Sequence, residues 1–199
     1  ENKPAPVSVQ DFRQMPFPQA QLRLIQQEPS VMVWREAEAA GMMAGQNRLE
    51  LEPNPTLVIW NSPPGRTELQ AAIEKVKPTT IILFAHNPGM DQPKAFMGRL
   101  AGLAKYALTH HRGTGSLSKV AAATAQRHAA VLAGLDWMQA KGMLGYRLNG
   151  KDELVFTSGI AEDPEQIYQA DRRLRAILQE SAAYRAYFSR ADPEGLFGT

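Results

Sequence analysis

The stretch from Pro93 to Gly159 limits the possible folds more than any other part of the chain. Pro93 suits the first turn of a helix, and Phe96, Leu100, Leu103 and Leu108 make an apolar stripe behind it. His111-Arg112-Gly113-Thr114-Gly115-Ser116 cannot continue that helix, because its glycine and hydroxyl residues favour a turn. A short helix is expected from about Ser118 to Ala125, and a third from about Arg127 to Lys141, stopped by Gly142. Leu144–Leu148 and Glu153–Thr157 then read as strands joined at Asn149-Gly150, the dipeptide suited to a hairpin with positive φ at both turn positions. Three helices followed by a hairpin is the order of a winged helix-turn-helix. Winged helices bind DNA, RNA or protein, so the order alone does not assign a function.

Residues 8–92 carry a different pattern. Val31–Trp34, Thr56–Trp60 and Thr80–Ala85 are short apolar runs of the kind found in strands buried on both faces. Arg48–Glu52 alternates as a half-exposed strand would. Helices are expected over Gln19–Gln27 and Glu36–Ala40, and from Thr67 to about Val76. The last opens with a Thr67/Gln70 capping box. Strand, helix and strand at this spacing imply a right-handed parallel crossover. Near the other end, Asp163 caps and Pro164 opens a further helix, whose apolar face is Ile167, Leu174, Ile177 and Leu178, continued by Tyr184, Tyr187 and Phe188. The fold class is therefore α/β. A small Rossmann-like domain spans 1–92, a winged-helix domain 93–160, and a helical extension 161–199 that packs on the rest.

Charge separates these segments. Residues 1–92 hold 8 Lys/Arg against 10 Asp/Glu, residues 93–160 hold 9 against 3, and residues 161–199 hold 5 against 7. The local excess of positive charge attracts phosphate although the whole chain carries only +2. Lys119, Gln126, Arg127, His128, Arg147 and Lys151 are the candidate nucleic-acid contacts. Lys119 opens the second helix, Arg127 and His128 begin the third, and Arg147 and Lys151 flank the wing turn. The outer face of the third helix, Ala129, Ala130 and Ala133 with Asp136 beyond, offers little to read base edges. Gln126 and Arg127 are the only base readers, so phosphate contact outweighs sequence readout. The alternative is a set of ordinary solvated charges around an alanine-rich interface helix. Tyr146 is a candidate for base stacking, while Trp137 belongs to the core.

Signals for catalysis are sparse. No G-x-G-x-x-G or G-x-x-x-x-G-K-[ST] occurs. Ser62–Thr67 sits where a ligand loop would, with Arg66 near an anion, but reads first as a rigid proline turn. His86–Asp91 reads as an interdomain connection, and His110-His111 point too far apart on a helix to share one ion. With no cysteine there is neither a disulfide nor a thiolate metal site. No apolar run approaches the ~18 residues of a membrane span and no secretory leader is evident, so a cytoplasmic location is expected. A start at Glu1 rather than Met reads as a fragment of something longer.

The order of parts resembles the C-terminal accessory region of RecJ-type single-stranded-DNA-specific exonucleases. The residues that carry this are Leu57–Pro64, with its strand running into Pro-Pro, Lys77–Leu83, Phe96–Leu108, and Arg173–Phe188 with Ser181-Ala182-Ala183-Tyr184-Arg185-Ala186-Tyr187-Phe188. The resemblance implies a non-catalytic piece of a 5′-to-3′ exonuclease acting in DNA recombination and repair. The parent enzyme would use divalent metal on Asp/His motifs that are absent here, since Thr109-His110-His111 lacks the leading Asp. No cofactor or metal is expected in this fragment. The implied roles are DNA engagement without strong sequence preference, or docking of single-strand-binding protein or a helicase. Two rivals stand beside this. One is a protein-interaction module with no direct DNA contact. The other is a free-standing winged-helix regulator whose α/β domain senses a ligand.

Overall fold

The two faces of one parallel sheet bury Val33–Trp34, Leu57–Trp60 and Ile81–Phe84. The computed structural model describes residues 7–15, 25, 30–37, 44–159 and 161–197. The expected helix over Gln19–Gln27 and the short one over Glu36–Ala40 lie almost wholly outside them. The chain divides into two compact units. One comprises the described residues up to Pro88 together with those from Tyr184 onward, and the other runs from Gly89 to Ala183.

In the first unit, β1 (Ser8–Asp11), β2 (Met32–Trp34), β3 (Thr56–Asn61) and β4 (Thr80–His86) form an all-parallel sheet in the order β1-β4-β3-β2. Helix α1 (Arg66–Val76) connects β3 to β4. Leu57, Ile59, Ile81 and Leu83 face Leu69, Ala72, Val76 and Phe188 on one side of the sheet. Val58, Trp60, Ile82 and Phe84 pack with Val33, Ile25 and Phe12 on the other. Burial on both faces is why these strands read as continuous apolar runs rather than alternating ones.

Three local expectations for this unit fail. Arg48–Glu50 is a turn, not the start of a strand. The Asn47 side chain accepts the Leu49 N–H at 2.9 Å, and Glu50 Oε2 accepts the Asn47 N–H at 3.1 Å. Such local side-chain bonds compete with a sheet ladder. The capping box is absent too: α1 begins at Arg66 behind Gly65, which makes no side-chain cap. Strand β1 was not expected, because Ser8–Asp11 has no apolar run. It exists through its register with Thr80–Leu83 on β4.

In the second unit, helix α2 (Pro93–His110) is followed by β5 (Thr114–Ser116), α3 (Leu117–Ala123), α4 (His128–Ala140), β6 (Leu144–Asn149) and β7 (Glu153–Ser158). The strands make an antiparallel sheet in the order β5-β7-β6. Helix α2 starts on Pro93 and buries Phe96, Leu100, Ala104 and Ala107, whereas Leu108, assigned to its stripe from sequence, is 40% exposed. Helix α4 comes so close to α2 that a Cβ on Gly134 would lie 2.5 Å from Leu100 Cδ2 and 2.9 Å from Phe96 Cε1. β5 falls where the sequence suggested only a turn. Its pairing with Glu153–Val155 makes a strand of residues with little strand character of their own. The β6–β7 connection is the three residues Gly150–Asp152, since Asn149 joins the ladder opposite Glu153 and, of the expected turn pair, only Gly150 takes positive φ.

Helix α5 (Pro164–Phe188) is capped by Asp163, which accepts the Gln166 N–H at 3.2 Å, and is followed by the short α6 (Pro193–Phe197). α5 crosses the division between the units, its last turns belonging to the first.

Candidate nucleic-acid interface

The β6–β7 turn and the start of α3 are tied together by one carboxylate. Asp152 accepts the Ser116 hydroxyl at 2.6 Å and the Ser118 N–H at 2.7 Å, while Ser116 Oγ itself accepts the Lys119 N–H at 3.1 Å. The Ser116 hydroxyl bond, then that from Ser118, holds the Asp152 carboxyl below its ordinary value. A His128 ring nitrogen lies 3.2 Å from Ser118 Oγ. Serine, histidine and aspartate meet here, but the carboxylate bonds the serines rather than orienting the imidazole, so this is a helix cap and not a nucleophile relay.

Of the six residues proposed from sequence, Lys119, His128, Arg147 and Lys151 are exposed. Gln126 and Arg127 are occupied. Gln126 is fully buried. Its amide donates to Met90 O at 3.0 Å and Asp91 Oδ1 at 2.8 Å, and its carbonyl accepts the Ser181 hydroxyl at 2.9 Å. A side chain so placed cannot reach a base edge. Arg127 donates to Ile177 O at 3.0 Å and Glu180 Oε2 at 2.8 Å, both on α5.

The same helix runs along part of the face that the sequence reading left open, engaging Arg127 and Asp136. Ala130 and Ala133 are completely buried, and only His128 and Ala129 of α4 are exposed. Arg173 of α5 lies 3.6 Å from Asp136. Asp136 also accepts the Tyr146 hydroxyl at 2.6 Å. Burial, then that bond, pushes the Tyr146 phenol well above its ordinary value. Tyr146 is thus a half-buried strut rather than a stacking surface, and Trp137 packs against the core as expected. Between the two helices remains a polar cleft of about 370 Å³ lined by Asp136, Gln139, Gln166, Gln169, Ala170 and Arg173. A helix that is apolar nearly all round must be buried all round, and α5 supplies part of that cover.

The stretch between Asp91 and Asp136 exposes cations and no carboxylate. No Asp or Glu occurs between Asp91 and Asp136. Of the nine Lys/Arg in 93–160, Arg127 and Lys141 are ion-paired, to Glu180 and Glu162. The other seven, Lys94, Arg99, Lys105, Arg112, Lys119, Arg147 and Lys151, are all exposed and make no ion pair among the described residues. Arg147 Nε donates to Asn149 Oδ1 at 3.0 Å, and the Asn149 amide donates in turn to Glu153 Oε2 at 3.1 Å. The sequence reading missed an aromatic group in this set. Tyr106, 54% exposed, stacks on His110 with ring centroids 4.5 Å apart and meets His111 edge-on at 5.2 Å. The signal was there in Lys105-Tyr106 and His110-His111-Arg112, aromatic and basic residues one helical turn apart.

The first unit offers less. At the carboxyl ends of its strands, where parallel sheets commonly bind ligands, Glu36 is buried against Arg48 (2.5 Å) and the Trp34 indole N–H (3.0 Å). Asn61 Oδ1 accepts the Glu36 N–H, and Arg185 Nε donates to Ser62 O at 3.1 Å. Pro63 and Pro64 are buried, the Ser62 N–H is bonded to His86 O, and Arg66 is exposed at the start of α1, so the Asn61–Arg66 loop is a rigid turn. The His86 ring packs on Trp60. Among the described residues no group of three or more His, Cys, Asp or Glu is placed to hold a metal ion, and no helix is long and apolar enough to cross a membrane.

Comparison with family models, with curated proteins and with solved structures gives no match.

Proposed function

We propose that the chain is a non-catalytic nucleic-acid-binding module whose second unit, a winged helix, holds DNA by its phosphates rather than by its sequence. The observation that carries this reading is the set of seven exposed Lys and Arg side chains within 93–160 that make no ion pair among the described residues, with no acidic residue between Asp91 and Asp136. Released counterions drive such binding, so affinity falls steeply with salt. Base readout through the third helix is not part of the mechanism, because α5 engages Arg127 and Gln126 is internal. Phosphate contact falls instead to Lys119, Arg147 and Lys151, with Lys94, Arg99, Lys105 and Arg112 on α2 and the turn after it. The first unit is proposed to be a Rossmann-like support without a ligand of its own. Its four parallel strands, with their carboxyl ends occupied by internal bonds, favour that role.

The resemblance to RecJ-type exonucleases fits this reading. On it, the module belongs to a metal-dependent, single-stranded-DNA-specific nuclease of recombination and repair, and keeps substrate near a catalytic site carried elsewhere. A second reading, docking of a partner such as single-strand-binding protein or a helicase, draws on Tyr168. That ring is 65% exposed on α5, with the Arg172 guanidinium 5.8 Å above it.

Fluorescence anisotropy with labelled single-stranded and duplex DNA across a salt series tests the proposal. The apparent affinity should fall with a log–log slope of about 0.7 per phosphate engaged on a single strand. Arg147→Glu/Lys151→Glu should lower both affinity and slope. No binding at low salt would refute DNA engagement and leave the docking reading.

A further inference from the structure

The proposed function accounts for phosphate contact but makes no use of the aromatic group at the end of α2. Tyr106, His110 and His111 project there among Lys105 and Arg112, with no acidic residue anywhere on α2, β5 or α3. An exposed tyrosine alone means little. This one is organised: the His110 imidazole lies nearly parallel to it, at 21°, and is itself held by the Thr109 hydroxyl at 2.6 Å. Thr109 in turn donates back to Lys105 O at 3.0 Å. Two flat rings are therefore stacked and fixed in solvent, where no core packing requires them. The α2 terminus adds the negative end of a helix dipole, which favours the cationic side chains of this turn.

We propose that the Tyr106–His110 stack is a platform for unpaired nucleobases, with Lys105 and Arg112 holding the adjoining phosphates. This rests on the DNA-binding reading above and narrows it to single strands. Bases within a duplex are stacked on one another and cannot extend a protein stack, whereas every unpaired base has a free π face. An acidic polypeptide would satisfy the cations but has nothing to lay on the rings. Fixing the rings in advance spares much of the ordering cost of binding.

The test compares the full chain binding a labelled oligothymidylate and an abasic strand of equal length and charge. The oligothymidylate should bind roughly 5- to 150-fold more tightly, the range given by one or so stacked bases. Tyr106→Ala should abolish that preference while leaving the salt slope unchanged, because no charge is removed. Tyr106→Phe should retain it, and duplex affinity should not respond to either variant. Lys105→Ala/Arg112→Ala should do the reverse, reducing the slope by about 0.7 per contact and keeping the preference for bases. Tyr106→Trp gives a direct readout, a fluorescence quenched by oligothymidylate and not by the abasic strand. Equal wild-type affinity for the two strands, or for polyglutamate, overturns the platform while leaving electrostatic binding intact. Absence of salt-sensitive binding to any strand overturns the platform and the DNA reading together.

Discussion

Replacing Gln126 by leucine separates the structural role found here from the base-reading role that its position in the sequence suggests. Leucine fills most of the same volume, so the change removes hydrogen bonds without opening a large cavity. The bonds lost include those to Met90 O at 3.0 Å, to Asp91 Oδ1 at 2.8 Å and from the Ser181 hydroxyl at 2.9 Å. At about 1 kcal/mol for each, with the bond to the Asp91 carboxylate at the higher end, the cost is about 3–4 kcal/mol. Ser181 keeps a weak alternative, Ile177 O at 3.4 Å, and the added apolar burial offsets a little more, leaving about 3 kcal/mol. With an m-value of about 2 kcal/mol/M for a unit of this size, the urea midpoint of that transition should fall by about 1.5 M. Ser181→Ala removes only one bond and should cost about 1 kcal/mol. The Gln126→Leu/Ser181→Ala double variant should be less destabilised than the sum, since the two residues share that bond. Under fully folding conditions Gln126→Leu should bind DNA with unchanged affinity and salt slope. An unchanged urea midpoint together with weakened DNA binding would refute the placement of this side chain and restore it as a reader.

Gly134→Ala should lower the thermal midpoint: the ~1 kcal/mol gained in helix propensity is outweighed by the ~1–3 kcal/mol of overpacking when a methyl meets Leu100 at 2.5 Å. The Asp152 carboxyl, held below its ordinary value by the Ser116 hydroxyl, contributes stability that is present above its unfolded value of 3.8 and lost as pH falls through the folded one. Acid urea titrations should therefore show Asp152→Asn losing less stability than wild type between neutral pH and pH ~3. Burial raises the Tyr184 phenol to about 12 and lifts that of Tyr146 too, aided by Asp136. Spectrophotometric titration should show a late-ionising component, removed by Tyr146→Phe/Tyr184→Phe and released on unfolding in urea. Because the protonated phenols are the favoured forms in the folded chain, that stability is held below the unfolded value near 10 and lost as pH rises through the folded ones.

The sequence by itself determined the elements whose signals are local. Pro93 and Asp163-Pro164 mark helix starts, Gly142 a helix stop, and Gly150 a hairpin turn, because each acts through its own backbone geometry or an adjacent amide. The runs Thr56–Trp60 and Thr80–Ala85 were legible as buried strands because a parallel sheet covered on both faces demands unbroken hydrophobicity. The excess of cations in 93–160 was likewise visible without coordinates. Only the tertiary structure decided which side chains are accessible. Ala130 and Ala133 looked like an open face, yet both are completely buried within the core that α2, α3, α4, the β6–β7 hairpin and α5 build together. Gln126 and Arg127 looked like readers until Ser181, Ile177 and Glu180 engaged them. β1 and β5 exist only through distant strands that donate their ladders, and Arg48–Glu52 lost its strand to an asparagine that bonds its own neighbours. The Tyr106–His110 stack needed both kinds of information: its spacing is written in the helix, but its exposure follows from which face of α2 the core takes. Periodicity reports what a segment prefers, whereas the use of a side chain depends on partners that the chain brings from far away.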